Sequence, residues 1–410
     1  METEMKEQTD SKVPKIRFKG FWDDWIAKIF EQNITSIQTG TNLLGTASGN
    51  GTPLLKMGNI QRGYFSLERL EALDVRAKVE VENIAHYGDF LFNTRNTLDL
   101  VGKGATWMGE SGKFAFNSNL ARFKFRGIDT VFFNYLYNTP NLVSQVKARA
   151  MGTTSVAAIY PQSLNSLEYR LPPAEEQTQI GSYFRELDRL IGLHQRKHDK
   201  LMTLKKAMLQ KMFPQAGAAV PEIRFQGFER DWVERKLGDV GLFNPKEVRP
   251  ESFEYVDLES VVGTEMVSHR TETKWTAPSR AQRLAKRGDL FFQTVRPYQK
   301  NNHLFTLPFT NYVFSTGYAQ IRPYSDGSFL LGMMQRDQFV KVVLDHCTGT
   351  SYPAINSNVL ADILVCIPNL EEQQKIGSYF RTLDELISKH ATQLQKLKQI
   401  KSACLEKMFV

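Results

Sequence analysis

The sequence predicts an α+β fold in which two mixed α/β domains are separated by two long antiparallel coiled-coil helices, with an internal pseudo-twofold repeat. The first observation is a duplicated opening. PKIRFKGF at residues 14–21, followed by Trp25, returns as PEIRFQGF at residues 221–228, followed by Trp232. The second is a duplicated long segment, because residues 175–213 and 371–409 are identical at more than half of their positions. A repeated frame with divergent contents between its anchors indicates one scaffold that carries two different surfaces.

Length and composition fit this two-part organisation. A chain of 410 residues exceeds the usual size of a single core, and 41% hydrophobic with 23% charged residues is typical of a globular protein. The sequence has no apolar run long enough to cross a membrane, and its three cysteines at no ligand spacing indicate reduced thiols in a cytoplasmic protein. The predicted divisions are a disordered tail at 1–12, mixed domains at 13–172 and 220–368, a linker at 214–219, and long helices at 173–213 and 369–410.

Both mixed domains are predicted to contain the same turn and strands. GDFLFNT at residues 88–94 matches GDLFFQT at residues 288–294, and each pattern is typical of a tight turn followed by a buried strand that ends in polar residues. Residues 114–116 and 312–314 align as a second strand. Loops at 152–155 and 349–351 come before the strand that leads into each long helix.

Apolar residues recur through both long segments at alternating spacings of four and three, which predicts a coiled-coil seam. Lys205 and Lys401 fall where the next apolar residue is due, so a stutter is predicted there. About 38 residues at 1.5 Å each predict a rod of roughly 57 Å. The seam residues are Ile180, Phe184, Leu187, Ile191, His194, His198, Leu201, Met208 and Met212 in the first helix, and Ile376, Phe380, Leu383, Ile387, His390, Leu394, Leu397, Cys404 and Met408 in the second.

The connections predict the direction of the second helix. Asn369 and Glu372 form a capping-box pattern at its start. The linker at 214–219 reaches at most about 20 Å, so the second helix can bury its stripe by running back along the first. The alternative is that each stripe packs only on its own domain. His194 and His390 occupy the same seam position, where a hydrogen-bonded pair that sets the register is favoured over a metal pair.

Polar side chains directly beyond the buried strands are the candidate DNA contacts. Arginine binds guanine, and asparagine or glutamine binds adenine, through paired hydrogen bonds in the major groove. Residues 270–300 also carry eight basic and two acidic residues, a local footprint for a phosphate backbone. For each candidate a solvated loop role, a base contact and a phosphate contact remain open. The candidates are Asn59, Gln61, Arg62, Asn93, Thr94, Arg95 and Asn96 in the first domain, and Gln293, Thr294, Arg296, Tyr298, Gln299 and Lys300 in the second.

Taken together, these motifs resemble the DNA-specificity subunit of bacterial type I restriction-modification systems. The resemblance covers nearly the whole chain. It depends on the paired PxIRFxGF openings with their tryptophans, on the paired EEQ…IGSYF…LD helices that end in KMF, and on the GD turn before each buried strand. The double occurrence makes the match specific.

The resemblance implies a function and a set of partners. Two target-recognition domains would each bind one half of a bipartite, asymmetric double-stranded DNA sequence, while the helices set the spacing and dock two methyltransferase (modification) subunits. Restriction/translocase subunits would join for cleavage, and S-adenosylmethionine, ATP and Mg would be bound by the partners. Candidate docking residues are Gln177, Tyr183, Phe184, Leu187, Gln373, Tyr379, Phe380 and Leu383, with the intramolecular core as the alternative for each of them.

The chain itself lacks the sequence patterns of an enzyme. It has no Asn-Pro-Pro-aromatic methyltransferase motif, no Gly-x-Gly methyl-donor loop and no histidine cluster with metal-ligand spacing. The sequence therefore predicts a non-catalytic subunit. Two competing hypotheses are a coiled-coil scaffold whose terminal domains bind proteins, and a nuclease that would cut DNA as a lone chain in the presence of metal.

Overall fold

A computed structural model describes residues 12–349 and 351–410. The chain forms two compact units: the first comprises the chain up to Leu193 together with Gln393–Val410, and the second comprises His194–Thr392. Each unit therefore contains one mixed α/β domain and one end of each long helix. Apart from Lys12, the predicted tail lies outside the described residues, as does Thr350 of the predicted loop at 349–351.

In the first unit, the strands are accompanied by α1 (Thr130–Tyr137), α2 (Pro140–Lys147), the start of α3 (Ala174–Lys211) and the end of α7 (Leu370–Lys407). An antiparallel sheet has the order β2-β10-β6-β8, and a mixed sheet has the order β4-β3-β9-β5 with β3 and β9 parallel. Two smaller sheets have the orders β11-β12-β7 and β1-β13. The strands are β1 (Ile26–Ile29), β2 (Ile34–Thr39), β3 (Pro53–Leu55), β4 (Glu71–Ala72), β5 (Ile84–Ala85), β6 (Phe90–Asn93), β7 (Arg95–Asn96), β8 (Gly104–Thr106), β9 (Phe114–Phe116), β10 (Leu120–Phe125), β11 (Met151–Gly152), β12 (Ala157–Ala158) and β13 (Glu168–Leu171).

In the second unit, the helices are the end of α3, then α4 (Gly327–Met334), α5 (Asp337–Asp345), α6 (Ser357–Asp362) and the start of α7 (Leu370–Lys407). Its sheets repeat the pattern, with orders β15-β24-β21-β22 and β19-β16-β23-β20, and with β16 and β23 parallel. Two pairs, β14-β25 and β17-β18, complete it. The strands are β14 (Val233–Lys236), β15 (Gly241–Phe243), β16 (Ser252–Val256), β17 (Val261–Val262), β18 (Glu265–Met266), β19 (Arg270–Thr273), β20 (Ala281–Leu284), β21 (Leu290–Gln293), β22 (His303–Leu304), β23 (Tyr312–Ser315), β24 (Tyr318–Pro323) and β25 (Leu364–Ile367).

The predicted turn and strands are confirmed in both units. Gly88 and Gly288 have φ of +88° and +96°, a conformation that glycine adopts without steric cost. The buried strands β6 and β21 follow these turns, and β9 and β23 correspond to the second aligned pair. The same backbone frame therefore carries different side chains in the two units.

The repeated opening motif and the repeated EEQ motif meet in an ion pair. Arg17 Nε and Nη2 donate to Glu176 Oε1 and Oε2 at 2.7 and 2.8 Å. Arg224 bonds Glu372 at the same two distances in the second unit. Each pair ties the segment that opens a half to the start of the long helix that ends it, which explains why both motifs occur twice.

The phenylalanine of each KMF motif packs against the hydrophobic core of one unit. The Phe409 ring lies 6.3 Å from Trp25, 5.7 Å from Phe132 and 5.7 Å from Phe184 in the first unit. In the second unit, Phe213 packs in the same way on Trp232, Phe329 and Phe380. Ring pairs of this size bury a large apolar area, so each helix end is anchored by hydrophobic packing.

Within each unit the two long helices pack together and run antiparallel. In the first unit, Tyr183 contacts Cys404 and the later residue Asp188 contacts the earlier residue Lys401. Buried and half-buried residues follow the predicted four-three spacing along both helices. This packing excludes the alternative in which each stripe contacts only its own domain.

The predicted stutter at Lys205 and Lys401 is wrong. The four-three spacing continues through both positions, because Lys205 and Lys401 are themselves half-buried at the seam. Lys205 Nζ lies 2.5 Å from Asp384 Oδ1, and Lys401 Nζ lies 2.5 Å from Asp188 Oδ1. A lysine can occupy a seam position because its aliphatic stem packs while its ammonium group reaches a carboxylate.

The capping box before α7 is only half formed. The Asn369 side chain accepts from Glu372 N at 2.9 Å, as predicted. The Glu372 carboxylate does not complete the reciprocal bond of a capping box, because it is bonded to Arg224 instead. The Glu372 carboxylate, which the sequence pattern assigns to the helix cap, is therefore used in the ion pair with Arg224 of the opening motif.

The paired histidines predict a pH-dependent stability. His194 and His390 form a hydrogen bond between their Nδ1 atoms at 3.0 Å, as the sequence predicted. Burial, and then the charges of His194, Lys197, Lys389 and His198, hold the pKa of His390 below its ordinary value of 6.5. As the pH falls below 6.5, the unfolded chain binds a proton before the folded chain does, so stability declines through that range and is fully retained above it.

The measurement is the thermal midpoint by circular dichroism at about pH 7.5 and about pH 5.5. On going from the higher to the lower pH, the thermal midpoint of the wild-type chain should decrease by more than that of the His390→Gln variant. Exposed His346 provides the matched control, and His346→Gln should retain the wild-type pH dependence. Identical profiles for wild type and His390→Gln would refute the assignment.

Candidate nucleic-acid interface

In the first unit, the candidate segment after β6 begins with structural residues. Asn93 is fully buried, and its Oδ1 accepts from Arg95 N at 3.2 Å. Thr94 Oγ1 donates to Asn119 O at 2.9 Å. The Asn93 amide oxygen therefore satisfies the backbone where the strand ends, while its buried Nδ2 has no partner among the described residues.

Arg95 and Asn96 lie at the surface of the same segment. They form β7, which pairs with Ala157 and Ala158 of β12 and fixes their backbone. The Arg95 side chain is exposed and has no hydrogen-bond or ion-pair partner among the described residues. The Asn96 Oδ1 accepts from Thr97 N at 2.8 Å, which leaves its amide nitrogen available. Of the four candidates here, these two can reach a ligand.

The second candidate loop, Asn59 to Arg62, lies beside the end of β6 because Lys103 contacts both of them. Asn93 N donates to Lys103 O at 2.8 Å, and Lys103 Nζ donates to Gln61 Oε1 at 2.7 Å. Asn59 is buried and stabilises the turn, because it accepts from Lys56 N and donates to Ser66 O. Gln61 and Arg62 remain half-exposed beside Lys103.

In the second unit, the first two candidates are again structural. Gln293 is buried and donates to Val295 O at 2.7 Å and to Gln299 Oε1 at 2.9 Å. Buried Thr294 donates from Oγ1 to Gly317 O at 2.8 Å. Both side chains therefore form hydrogen bonds inside the unit.

Arg296 is held in a defined orientation. Its backbone has φ of +53°, a left-handed conformation that is uncommon for a residue with a side chain. Arg296 N donates to Pro353 O at 2.7 Å, and the guanidinium carbon lies 4.5 Å from the centre of the Tyr352 ring. No hydrogen bond or ion pair involves this guanidinium among the described residues, so stacking orients it while its donors stay available.

The remaining candidates of this loop differ in their availability. Tyr298 is half exposed, and Gln299 is exposed but already accepts the bond from Gln293. Lys300, with φ of +56°, pairs with Asp337, which reduces its value as a free cation. Elsewhere in the predicted basic footprint, Arg270, Lys274 and Lys286 are also paired with carboxylates. The footprint is therefore weaker than the sequence predicted.

Equivalent backbone positions of the two units carry side chains with different hydrogen-bonding groups. The bridge between Val295 and Ala354 corresponds to the pairing of Arg95 with Ala158. Arg95 in one unit thus matches Val295 in the other, and Asn96 matches Arg296. The two surfaces share a backbone but cannot form the same hydrogen bonds.

Sequence reasoning missed Lys103 and Tyr352. Lys103 comes next to Asn93 through strand pairing, and Tyr352 comes under Arg296 through a loop far along the chain. The alignment of 349–351 with 152–155 marked the region of Tyr352, but its pattern contains no signal for stacking. No sequence pattern singled out Lys103.

Most of the predicted docking residues belong to the core. Phe184, Leu187, Phe380 and Leu383 are buried in the hydrophobic clusters of their own units. Buried Gln177 bonds Asp129 N and Pro172 O, and buried Gln373 bonds Pro368 O. These six side chains therefore lie in the intramolecular core, the alternative to docking. Tyr183 and Tyr379 are only half-buried, against Phe18 and Phe225 respectively.

Among residues 12–349 and 351–410, no group of three or more His, Cys, Asp or Glu side chains is arranged to hold a metal ion. No helix in the same part of the chain combines the length and the apolar character that a bilayer span requires.

Comparison with known proteins gives a consistent result. The family model for the type I restriction modification DNA specificity domain matches residues 229–399. The chain is 22% identical to the MjaX specificity subunit assigned to a type I restriction enzyme of Methanocaldococcus jannaschii, over 92% of this chain and 91% of that protein. It is 24% identical to the MjaVIII specificity subunit of the same organism, over 62% of this chain and 65% of that protein.

One solved structure has a similar fold. The crystal structure of the S subunit of a type I restriction-modification system from M. genitalium aligns with a TM-score of 0.60 over 97% of this chain and 99% of that chain. The two sequences are 16% identical, so the likeness concerns the fold. It contains two mixed α/β domains and two long helices packed together, as observed for α3 and α7.

Proposed function

Because the chain belongs to the family of type I restriction-modification DNA specificity subunits, we propose that its two units bind the two halves of a bipartite, asymmetric DNA target. The subunit is the non-catalytic, DNA-binding component of its enzyme complex. In this proposal S-adenosylmethionine, ATP and Mg are bound by methyltransferase and restriction partners.

The orientation of Arg296 carries the proposal. A guanidinium stacked on Tyr352 retains its parallel donors, which match the two acceptors of guanine in the major groove. Left-handed backbone at Arg296 and Lys300 costs on the order of 1 kcal/mol or more at each residue and is most often retained at functional sites. The loop therefore has the features of a surface prepared for a ligand.

The difference between the units supports an asymmetric target. Arg95 and Asn96 occupy the positions that Val295 and Arg296 occupy in the second unit. An arginine followed by an asparagine offers donors for guanine and for adenine, whereas a valine followed by an arginine offers polar contacts only at the second position. We infer that the two half-sites have different sequences.

We further propose that α3 and α7 set the interval between the half-sites and contribute to docking of the modification subunits. Each helix has 38 residues without a break. A change in helix length should therefore change the interval between the half-sites by the same length. Tyr183 and Tyr379 are the docking candidates that the structure leaves partly accessible.

Replacement of Arg296 tests the proposal. Arg296→Ala should lose about 1–3 kcal/mol of discrimination, or roughly 5- to 150-fold, at positions within one half-site. Arg296→Lys should lose most of the same discrimination because an ammonium cannot form the paired hydrogen bonds. Affinity is measured by fluorescence anisotropy at fixed salt, with the full chain and duplexes that carry single changes in a target mapped from genomic methylation.

Exposed Arg287 provides the control, because it has no ion-pair partner among the described residues and lies outside the loop. Arg287→Ala should preserve discrimination in both half-sites. Equal loss at both half-sites for Arg296→Ala would contradict the assignment. A wild-type chain with no sequence preference would instead favour the protein-binding scaffold.

A further inference from the structure

Two cations of the first unit lie together near the end of β6, the strand that leads to Arg95. Strand pairing places Lys103 beside Asn93, and Lys103 Nζ donates to Gln61 Oε1 at 2.7 Å. Gln61 is followed by Arg62, so the hydrogen bond brings the Arg62 loop onto the Lys103 strand. Both cations are half-buried.

Neither cation is neutralised by a carboxylate of the described residues. Burial, and then the charge of Arg62, lower the pKa of Lys103, which shows that the two groups lie close enough to repel each other. Arg62 Nη1 is shielded from solvent and has no hydrogen-bond acceptor. In the same hairpin, Lys56 has a partner in Glu71 at 2.9 Å. Lys56 thus has a carboxylate partner, whereas Arg62 in the same hairpin and Lys103 before β8 have none among the described residues.

An uncompensated pair of half-buried cations is destabilising unless an anion binds between them. A phosphate group suits this pair because it accepts hydrogen bonds from several directions and carries the opposite charge. The adjacent surface contains Arg95 and Asn96, the first-unit candidates for base contact. A DNA strand whose bases reach those side chains would pass its backbone along the same end of the sheet.

We propose that Arg62 and Lys103 bind one phosphate of the DNA backbone next to the base-contacting surface of the first unit. The inference rests on the proposed function, because it takes DNA as the source of the phosphate. It assigns these residues to affinity and positioning, and leaves sequence discrimination to Arg95 and Asn96.

The second unit has the same frame without the charges. The bridge from Ile60 to Phe65 corresponds to the pairing of Val261 with Met266, so Gln61 and Arg62 match Val262 and Gly263. Gly263 N donates to Asn301 Oδ1 at 2.9 Å, in place of the bond between Gln61 and Lys103. By strand register, with Phe90 opposite Thr106 and Leu290 opposite Leu304, Asn301 stands where the first unit has Lys103. The phosphate site is therefore a property of the first unit alone.

The experiment measures the affinity of the full chain for DNA as a function of KCl concentration. It uses two labelled duplexes, one with the mapped target and one of equal length with an unrelated sequence. In the double variant Arg62→Gln/Lys103→Gln, the slope of log K against log salt should fall in magnitude by about 0.9, the value for one phosphate contact. Affinity should fall by the same factor for both duplexes.

Two variants serve as controls. Lys103→Arg retains the charge and should retain the wild-type slope. Lys113→Gln removes an exposed lysine that is paired with Glu110 at 2.8 Å, and should leave the slope unchanged. Thermal melting checks folding, and removal of two mutually repelling cations should not lower the midpoint.

An unchanged slope in the folded double variant would overturn the phosphate site. Weaker binding confined to the target duplex would also overturn it, because that result indicates a base contact. If the wild-type chain shows no preference between the duplexes, the proposed function fails. A reduced slope in that case would still support the phosphate site.

Discussion

Replacing Glu176 with alanine is expected to lower the free energy of unfolding by about 3–5 kcal/mol, because it leaves a buried guanidinium without its partner. The Glu176 side chain is 0% exposed and that of Arg17 is 12% exposed. Their two hydrogen bonds of 2.7 and 2.8 Å form a bidentate pair. The bond to Glu176 raises the pKa of Arg17, and without that bond an arginine still stays charged near neutral pH because its ordinary pKa is far higher.

Denaturant unfolding followed by circular dichroism measures the effect, with Glu372→Ala as the matched variant of the second unit. The double variant Arg17→Leu/Glu176→Leu should lose less than Glu176→Ala, since apolar groups of similar volume can replace a buried pair at little cost. Lys113→Ala, in an exposed pair, should cost about 0–1 kcal/mol. A loss for Glu176→Ala no larger than that of Lys113→Ala would show that the pair does not stabilise the fold.

Deleting one heptad from both long helices is expected to change the target itself. Removal of residues 191–197 and 387–393 preserves the four-three spacing on both sides of each deletion. Seven residues correspond to about 10 Å of helix at 1.5 Å per residue, which equals about three base pairs at 3.4 Å each. The bound target should therefore have an interval about three base pairs shorter, with both half-site sequences unchanged.

Methylation mapping of genomic DNA from cells that carry the complete system gives the readout. The control deletes only residues 191–197, which puts the two seams out of register and should abolish methylation at any interval. An unchanged interval with the double deletion would show that the helices do not set the spacing.

The repeat made much of the fold predictable from the sequence. Long helices expected at 173–213 and 369–410 are observed at Ala174–Lys211 and Leu370–Lys407. The buried strands after Gly88 and Gly288 were also predicted correctly. These features depend on local periodicity and turn chemistry, which a single sequence displays directly.

The candidate site was less predictable, because its roles depend on long-range packing. Asn93 and Gln293 look like base-contacting amides in the sequence, yet both are buried and satisfy groups at the end of a strand. Composition and spacing cannot tell a structural amide from an available one. The stutter prediction failed for a similar reason, since the aspartates that neutralise Lys205 and Lys401 lie on the other helix.

The first unit is built from two separate segments of the chain, and this affects how it can fold during translation. Gln393–Val410 belong to this unit, and Phe409 fills its core between Trp25, Phe132 and Phe184. A ribosome makes these residues after the entire second unit. The unit whose translation begins first therefore receives its last core residues, Met408 and Phe409, only after the second unit has been made.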